Sequence, residues 1–137
     1  MAQRFALTAP VVREGPLHKQ IADAFRLELA APGKISRQGV TWWSVDMAAY
    51  AGKAPGLRTA RGCVAGVPDI IVLYRGRAHF IEVKAADSVG LSADQQSVAA
   101  AIVFSSAEFG TARDAVEALR LLDAWGIPRN RNIKSAA

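Results

Sequence analysis

From Leu17 to Ala30 the apolar positions Leu17, Ile21, Ala24, Phe25 and Leu29, with Leu27 or Glu28 between them, recur every three or four residues. That is the period of one helix face, so LHKQIADAFRLELA predicts an amphipathic helix, stopped by Pro32 and Gly33. The pattern changes at Val40. VTWWSVD is β-branched and aromatic and predicts a strand, whose adjacent Trp42 and Trp43 must point to opposite faces. Residues 46–66 carry four glycines and Pro55 and predict a loop, with a helical turn near Leu57 to Ala60.

GVPDIIVLYRGRAHFIEVKA, from Gly66 to Ala85, holds two apolar runs around Arg75 and Gly76 and predicts a β-hairpin. After a polar connection from Ala86 to Gly90, SADQQSVAAAIVFS opens with Ser92 three residues before Gln95, the capping-box spacing. The helix that follows is so apolar that it is expected to pack on a sheet. AEFGTA predicts a weak strand, and TARDAVEALRLLDAW a second amphipathic helix through Ala115, Leu119, Leu122 and Trp125, closed by Gly126 and Pro128. The order of elements predicts an α/β sandwich with a mixed sheet, the apolar helix serving as a crossover between parallel strands. The residues before the first helix predict a lead-in, with a short extended stretch at Val11 and Val12, and PRNRNIKSAA a basic, frayed tail.

With Arg75 and Gly76 as the turn, Tyr74 faces Arg77, Val72 faces His79, Ile70 faces Ile81, and Asp69 lies opposite Glu82. Facing residues share a side of the sheet with Cβ atoms about 5 Å apart, so two carboxylates converge. Lys84, two residues past Glu82, projects to that same side. A three-residue loop would flip one strand and separate the acids. Like charges so close raise a carboxylate pKa unless a cation compensates. Two carboxylates, the Glu82–Val83 backbone and water form the all-oxygen setting that Mg²⁺ or Mn²⁺ prefers. The competing interpretation is an ordinary structural salt bridge. His79 has the opposite parity to Glu82 and is expected to pack in the hairpin.

Composition narrows the classes. The chain has 137 residues, enough for one core, of which 51% are hydrophobic and 21% charged, and that excludes a disordered chain. Its net charge of +5 suits an anionic partner, and Lys53, Arg58 and Arg61 before the hairpin, with Arg75, Arg77 and Lys19, are candidates to contact a phosphate backbone. Cys63 is the only cysteine, which excludes an intramolecular disulfide and fits a reducing compartment. No 18-residue apolar run and no secretory leader is apparent, so a cytoplasmic protein without a membrane partner is expected.

Gly66-Val67-Pro68-Asp69, Phe80-Ile81-Glu82-Val83-Lys84-Ala85 and Gly90-Leu91-Ser92-Ala93-Asp94-Gln95 together resemble the signature of the VRR-NUC branch of the PD-(D/E)xK nuclease superfamily. The resemblance divides the chain into a lead-in (1–16), a nuclease domain (17–128) and a basic tail (129–137). It implies a restriction-endonuclease-like α/β fold, a central mixed sheet flanked by helices, and Mg²⁺-dependent hydrolysis of DNA, with Mn²⁺ as substitute. Asp69 and Glu82 would be the metal-binding carboxylates, Val83 a backbone carbonyl ligand, Lys84 the catalytic lysine and Gln95 the polar residue of the next helix. The family's further helix acid has no clear counterpart: Glu14 is preferred to His18, and Glu28 lies too far along. Members act on branched or flapped DNA, and small ones resemble junction resolvases, which implies a homodimer. The alternative is a basic DNA-binding or assembly protein that keeps the fold without cutting.

Overall fold

The structure, a computed structural model, describes residues 14–45 and 60–130. Helix α1 (Glu14–Glu28) leads to strand β1 (Val40–Ser44), the hairpin β2 (Ile70–Tyr74) and β3 (Arg77–Val83), helix α2 (Ala93–Phe104), strand β4 (Glu108–Ala112) and helix α3 (Ala115–Ala124). The strands form a four-stranded sheet in the order β1-β2-β3-β4. The first two pairings are antiparallel and β3 with β4 is parallel, with α2 as the crossover. This is a mixed α/β architecture.

Alternation along the strands fixes two faces. Val40, Trp42, Ile70, Val72, Ile81, Val83 and Ala112 are buried on one, where α1 and α3 close the core with Ile21, Phe25, Ala118 and Leu122. Trp42 meets Phe25 edge-on, ring centroids 5.4 Å apart, and its indole N–H donates to the Ala30 carbonyl at 2.8 Å. Trp43 points the other way and is exposed. Gly110 lets α3 lie close: a Cβ there would stand 2.7 Å from the Leu121 side chain. The other face carries Ile71, Leu73, Phe80 and Phe109, half-buried, and ends in Glu82 and Lys84.

Several expectations need correcting. The first helix begins at Glu14, not Leu17, because Pro16 is tolerated in a first turn whose N–H groups lack partners, and Glu14 suits its positive end. Glu28, not Leu27, is the buried member of that pair, since the supposed frayed tail brings a cation back to it. Arg129 lies 3.1 Å from Glu28 and 2.8 Å from Asp123, and the Asn130 N–H donates to the Glu28 carbonyl. The largest departure is α2. Only Ala99 of its residues is buried, while Val103 and Phe104 are 60% and 94% exposed. Its principal neighbour in the sheet is the edge strand β4, and most of its apolar surface meets no second element among the described residues. The stretch at Val11 and Val12, the turn at Leu57, and residues 131–137 of the tail lie outside the described residues. No described helix is long and apolar enough to cross a membrane.

Candidate active site

The hairpin takes the register that the two-residue turn predicts, Tyr74 with Arg77, Val72 with His79 and Ile70 with Ile81. Arg75 and Gly76 both have positive φ, 50° and 74°, the geometry of a tight hairpin turn. Arginine is a poor residue for it, but the Arg75 guanidinium lies over the Tyr74 ring, 5.3 Å from its centroid. One step past Ile70 and Ile81, Asp69 therefore stands across from Glu82. Asp69 is tied down at once, its Oδ2 accepting the Val83 N–H at 2.8 Å and its carbonyl the Val45 N–H at 2.7 Å.

Glu82 is 4% exposed, and among the described residues no donor reaches its buried Oε2. Its carboxyl is pushed up from 4.5 to about 8, first by burial, then by the charge of Asp69; Lys84 pulls it back, and hydrogen bonding with Asp69 and the charge of Glu14 add to the rise. Lys84 is also buried, yet no ion pair joins it to either acid. Its Nζ donates to Gln95 Oε1 at 2.6 Å, and Gln95 Nε2 donates to Glu82 Oε1 at 2.8 Å. A structural salt bridge is thus not what these side chains make.

Gln95 can do this because it is the third residue of the capping box. Its backbone N–H donates to Ser92 Oγ at 3.2 Å, and its Oε1 accepts the Ser92 N–H at 2.9 Å. The amide orientation follows, since two donors face the oxygen and a carboxylate faces the nitrogen. Gly66 sets the distance between this turn and the strand. With φ +88° it rests against the backbone of Asp94 and Gln95, where a Cβ would come 2.5 Å from the Asp94 carbonyl carbon.

The first turns of α1 reach the same end of the sheet. Glu14 is exposed and close enough for its charge to bear on Glu82. His18 is half-buried, with Nε2 2.8 Å from Ser44 Oγ on the strand position that pairs with Ile70. Among the described residues no group of three His, Cys, Asp or Glu side chains could hold an ion together. What the structure does bring together is a pair of carboxylates, Asp69 and Glu82, and after burial their mutual repulsion raises the Glu82 carboxyl. Asp69, Glu82 and the carbonyl of Val83 are the groups that could hold a cation there.

The basic candidates separate. Arg75 and Arg77 belong to the turn, five residues from Glu82 along β3, about 17 Å at the rise of a strand. Arg77 is committed to Glu108 at 2.8 Å and to the Ser106 carbonyl. Lys19 pairs with Asp23 on the outer side of α1 at 2.7 Å. Arg61 is exposed, five residues before Gly66; Lys53 and Arg58 lie outside the described residues. His79 packs as expected, buried with Nδ1 3.1 Å from the Val72 carbonyl and its ring 5.3 Å from that of Trp125. Sequence reasoning passed over Arg113, which follows β4 at the Glu82 end. Parity within β4 was readable, but its register against β3 was not. No protein-family model, curated protein or solved structure matches the chain.

Proposed function

We propose that this protein is a Mg²⁺-dependent endonuclease on a restriction-endonuclease-like fold, hydrolysing DNA phosphodiester bonds, with branched or flapped DNA or four-way junctions as substrates. The observation that carries this reading is Glu82: a buried carboxylate facing a second one, with a lysine kept off both by Gln95. A chain that needed only a salt bridge there would let Lys84 touch an acid.

The division of labour follows from the contacts. Asp69 and Glu82, with the Val83 carbonyl, would hold a cation that supplies Lewis-acid stabilisation of phosphate charge and acidifies a water. Gln95 fixes the orientation of the Glu82 carboxylate and the Lys84 ammonium at once. Lys84, steered by an amide, keeps N–H groups for the water or for the oxygens of the phosphorus centre. Hydrolysis adds water oxygen to phosphorus, breaks the bond from phosphorus to the leaving sugar oxygen, and returns a proton to that oxygen. Two such sites would serve a two-fold symmetric junction, and exposed Val103 and Phe104 on α2 support pairing of two copies.

The test is a panel of plasmid, flap, splayed-arm and four-way DNA with Mg²⁺ or Mn²⁺, run beside Lys84→Ala. Metal-dependent cleavage lost in the variant supports the reading, and equal cleavage by both refutes it. A second reading, a DNA-binding or assembly protein that does not cut, is favoured by one observation: no third ligand side chain converges on the pair among the described residues. DNA binding without cleavage, and without Mn²⁺ binding that depends on Asp69 and Glu82, selects it.

A further inference from the structure

We infer that Arg113 is a positioning residue that holds a backbone phosphate of the nucleic acid next to the one being cut; this rests on the nuclease reading and deepens it. The register of β4 against β3 places Thr111 beside Glu82 and Ala112 beside Val83, and the Lys84 N–H donates to the Ala112 carbonyl at 3.0 Å. The next step sets Arg113 beside Lys84. Alternation turns its side chain to the face that Glu82 and Lys84 share, one strand over, about 4.8 Å between backbones.

The state of its guanidinium makes it an available cation there. Arg26, Arg77 and Arg129 each form an ion pair with an acid of the chain. Arg113 forms none, and its one side-chain bond is a long contact, Nη2 to the Ser88 carbonyl at 3.4 Å. The nearest acids in sequence are turned to other work. Glu117 Oε2 accepts the Arg113 backbone N–H at 2.7 Å, and Asp114 Oδ1 caps α3 by accepting the Glu117 N–H at 2.8 Å. An exposed arginine with most of its donor fork open, touching the loop that joins Lys84 to Gln95 through Ser88, suits bidentate capture of a phosphate. The hairpin arginines cannot substitute for it, since they lie at the other end of the strands.

The test compares wild type, Arg113→Ala and Arg113→Lys in two assays. Binding of a labelled flap DNA with Ca²⁺ is followed by anisotropy over a salt series, and cleavage of the same DNA is followed with Mg²⁺. Losing one phosphate contact should lower the slope of log affinity against log salt by about 0.9. KM should rise about tenfold, with kcat within about twofold of wild type. Arg113→Lys should regain the slope but only part of the KM, because an ammonium lacks the planar fork. Wild-type slope and KM in Arg113→Ala overturn the inference, as does a loss confined to kcat. If wild type binds without cutting while Arg113→Ala still lowers the slope, the nuclease reading fails and the phosphate contact stands. If wild type binds no DNA, both fail. Melting curves of the variants, expected to match wild type, guard against unfolding.

Discussion

Two glutamates lie buried in this small protein, and their surroundings are opposite. Glu28, at the end of α1, is fully buried beside Arg129, 3.1 Å away and itself only 10% exposed. Glu82, at the other end of the sheet, faces Asp69, receives one amide N–H from Gln95, and forms no ion pair with a cation among the described residues. Burying a carboxylate is costly unless a cation or donors compensate. The chain supplies that cation to Glu28 from its own C-terminal region. The lysine beside Glu82 bonds to Gln95 instead, and burial first, then the charge of Asp69, push the Glu82 carboxyl up to about 8. The first glutamate is completed by the protein, and the second would be completed by the divalent cation of the proposed function.

The contrast is broken most severely by exchanging the consequences. Lys84→Ala and Asp69→Ala should lower DNA cleavage by about 10³-fold or more, the scale of losing preorganised charge stabilisation, while leaving the melting curve near wild type. Arg129→Ala should do the reverse. It removes the cation paired with buried Glu28 and should cost about 3–5 kcal/mol of stability, read by urea denaturation, with cleavage by the folded fraction kept. Cleavage lost in Arg129→Ala at temperatures where it is still folded would collapse the distinction between the two sites.

Next in size is Gly66→Ala. The added Cβ would meet the backbone of Asp94 and Gln95 at 2.5–2.6 Å, in a φ that disfavours side chains, so the capping turn must retreat from the strand. A loss of about 1–3 kcal/mol is expected, together with reduced cleavage as Gln95 leaves Glu82. A variant that is destabilised but cuts normally would show that Gln95 does not organise the site.

The pH dependence sharpens the same comparison. Glu82 has a folded pKa raised from 4.5 to about 8, so the folded protein binds more protons than the unfolded chain between those values. Its stabilising contribution is present below pH 4.5 and is lost as pH rises toward 8. Without divalent cations, Glu82→Gln should therefore melt higher than wild type at pH 8 and show no advantage at pH 4.5. Addition of Mg²⁺ or Mn²⁺ should raise the melting temperature of wild type more at pH 8 than at pH 5, and leave Glu82→Gln unmoved. The smallest expected effect is at the far end of the hairpin: Arg75→Asn, better suited to positive φ, should gain a few tenths of a kcal/mol or nothing and leave cleavage unchanged.

What the sequence reveals about these two ends differs for physical reasons. The hairpin was legible because a two-residue turn between apolar runs fixes every cross-strand pair, and Asp69 and Glu82 follow from counting. The capping box at Ser92 and Gln95 was legible for the same reason, being local. The role of Arg129 was not, because a basic residue after Pro128 carries no local sign that it folds back on a helix begun more than a hundred positions earlier. Nor was Arg113, whose place depends on the parallel register of two strands separated by a helix. The α2 helix misled in another way: its apolar composition predicts burial, but not which surface provides it, and the sheet meets it chiefly at an edge strand.

The most direct test of the account is calorimetric titration of the wild-type protein with Mn²⁺ at pH 7 in two buffers of different ionisation enthalpy, beside Asp69→Ala and Glu82→Gln. Because Glu82 holds its proton up to about pH 8, the account predicts saturable binding that releases close to one proton in wild type and is lost in both variants. Absence of Mn²⁺ binding in wild type, or binding that both variants retain, would contradict the claim that this buried carboxylate is kept for a metal ion.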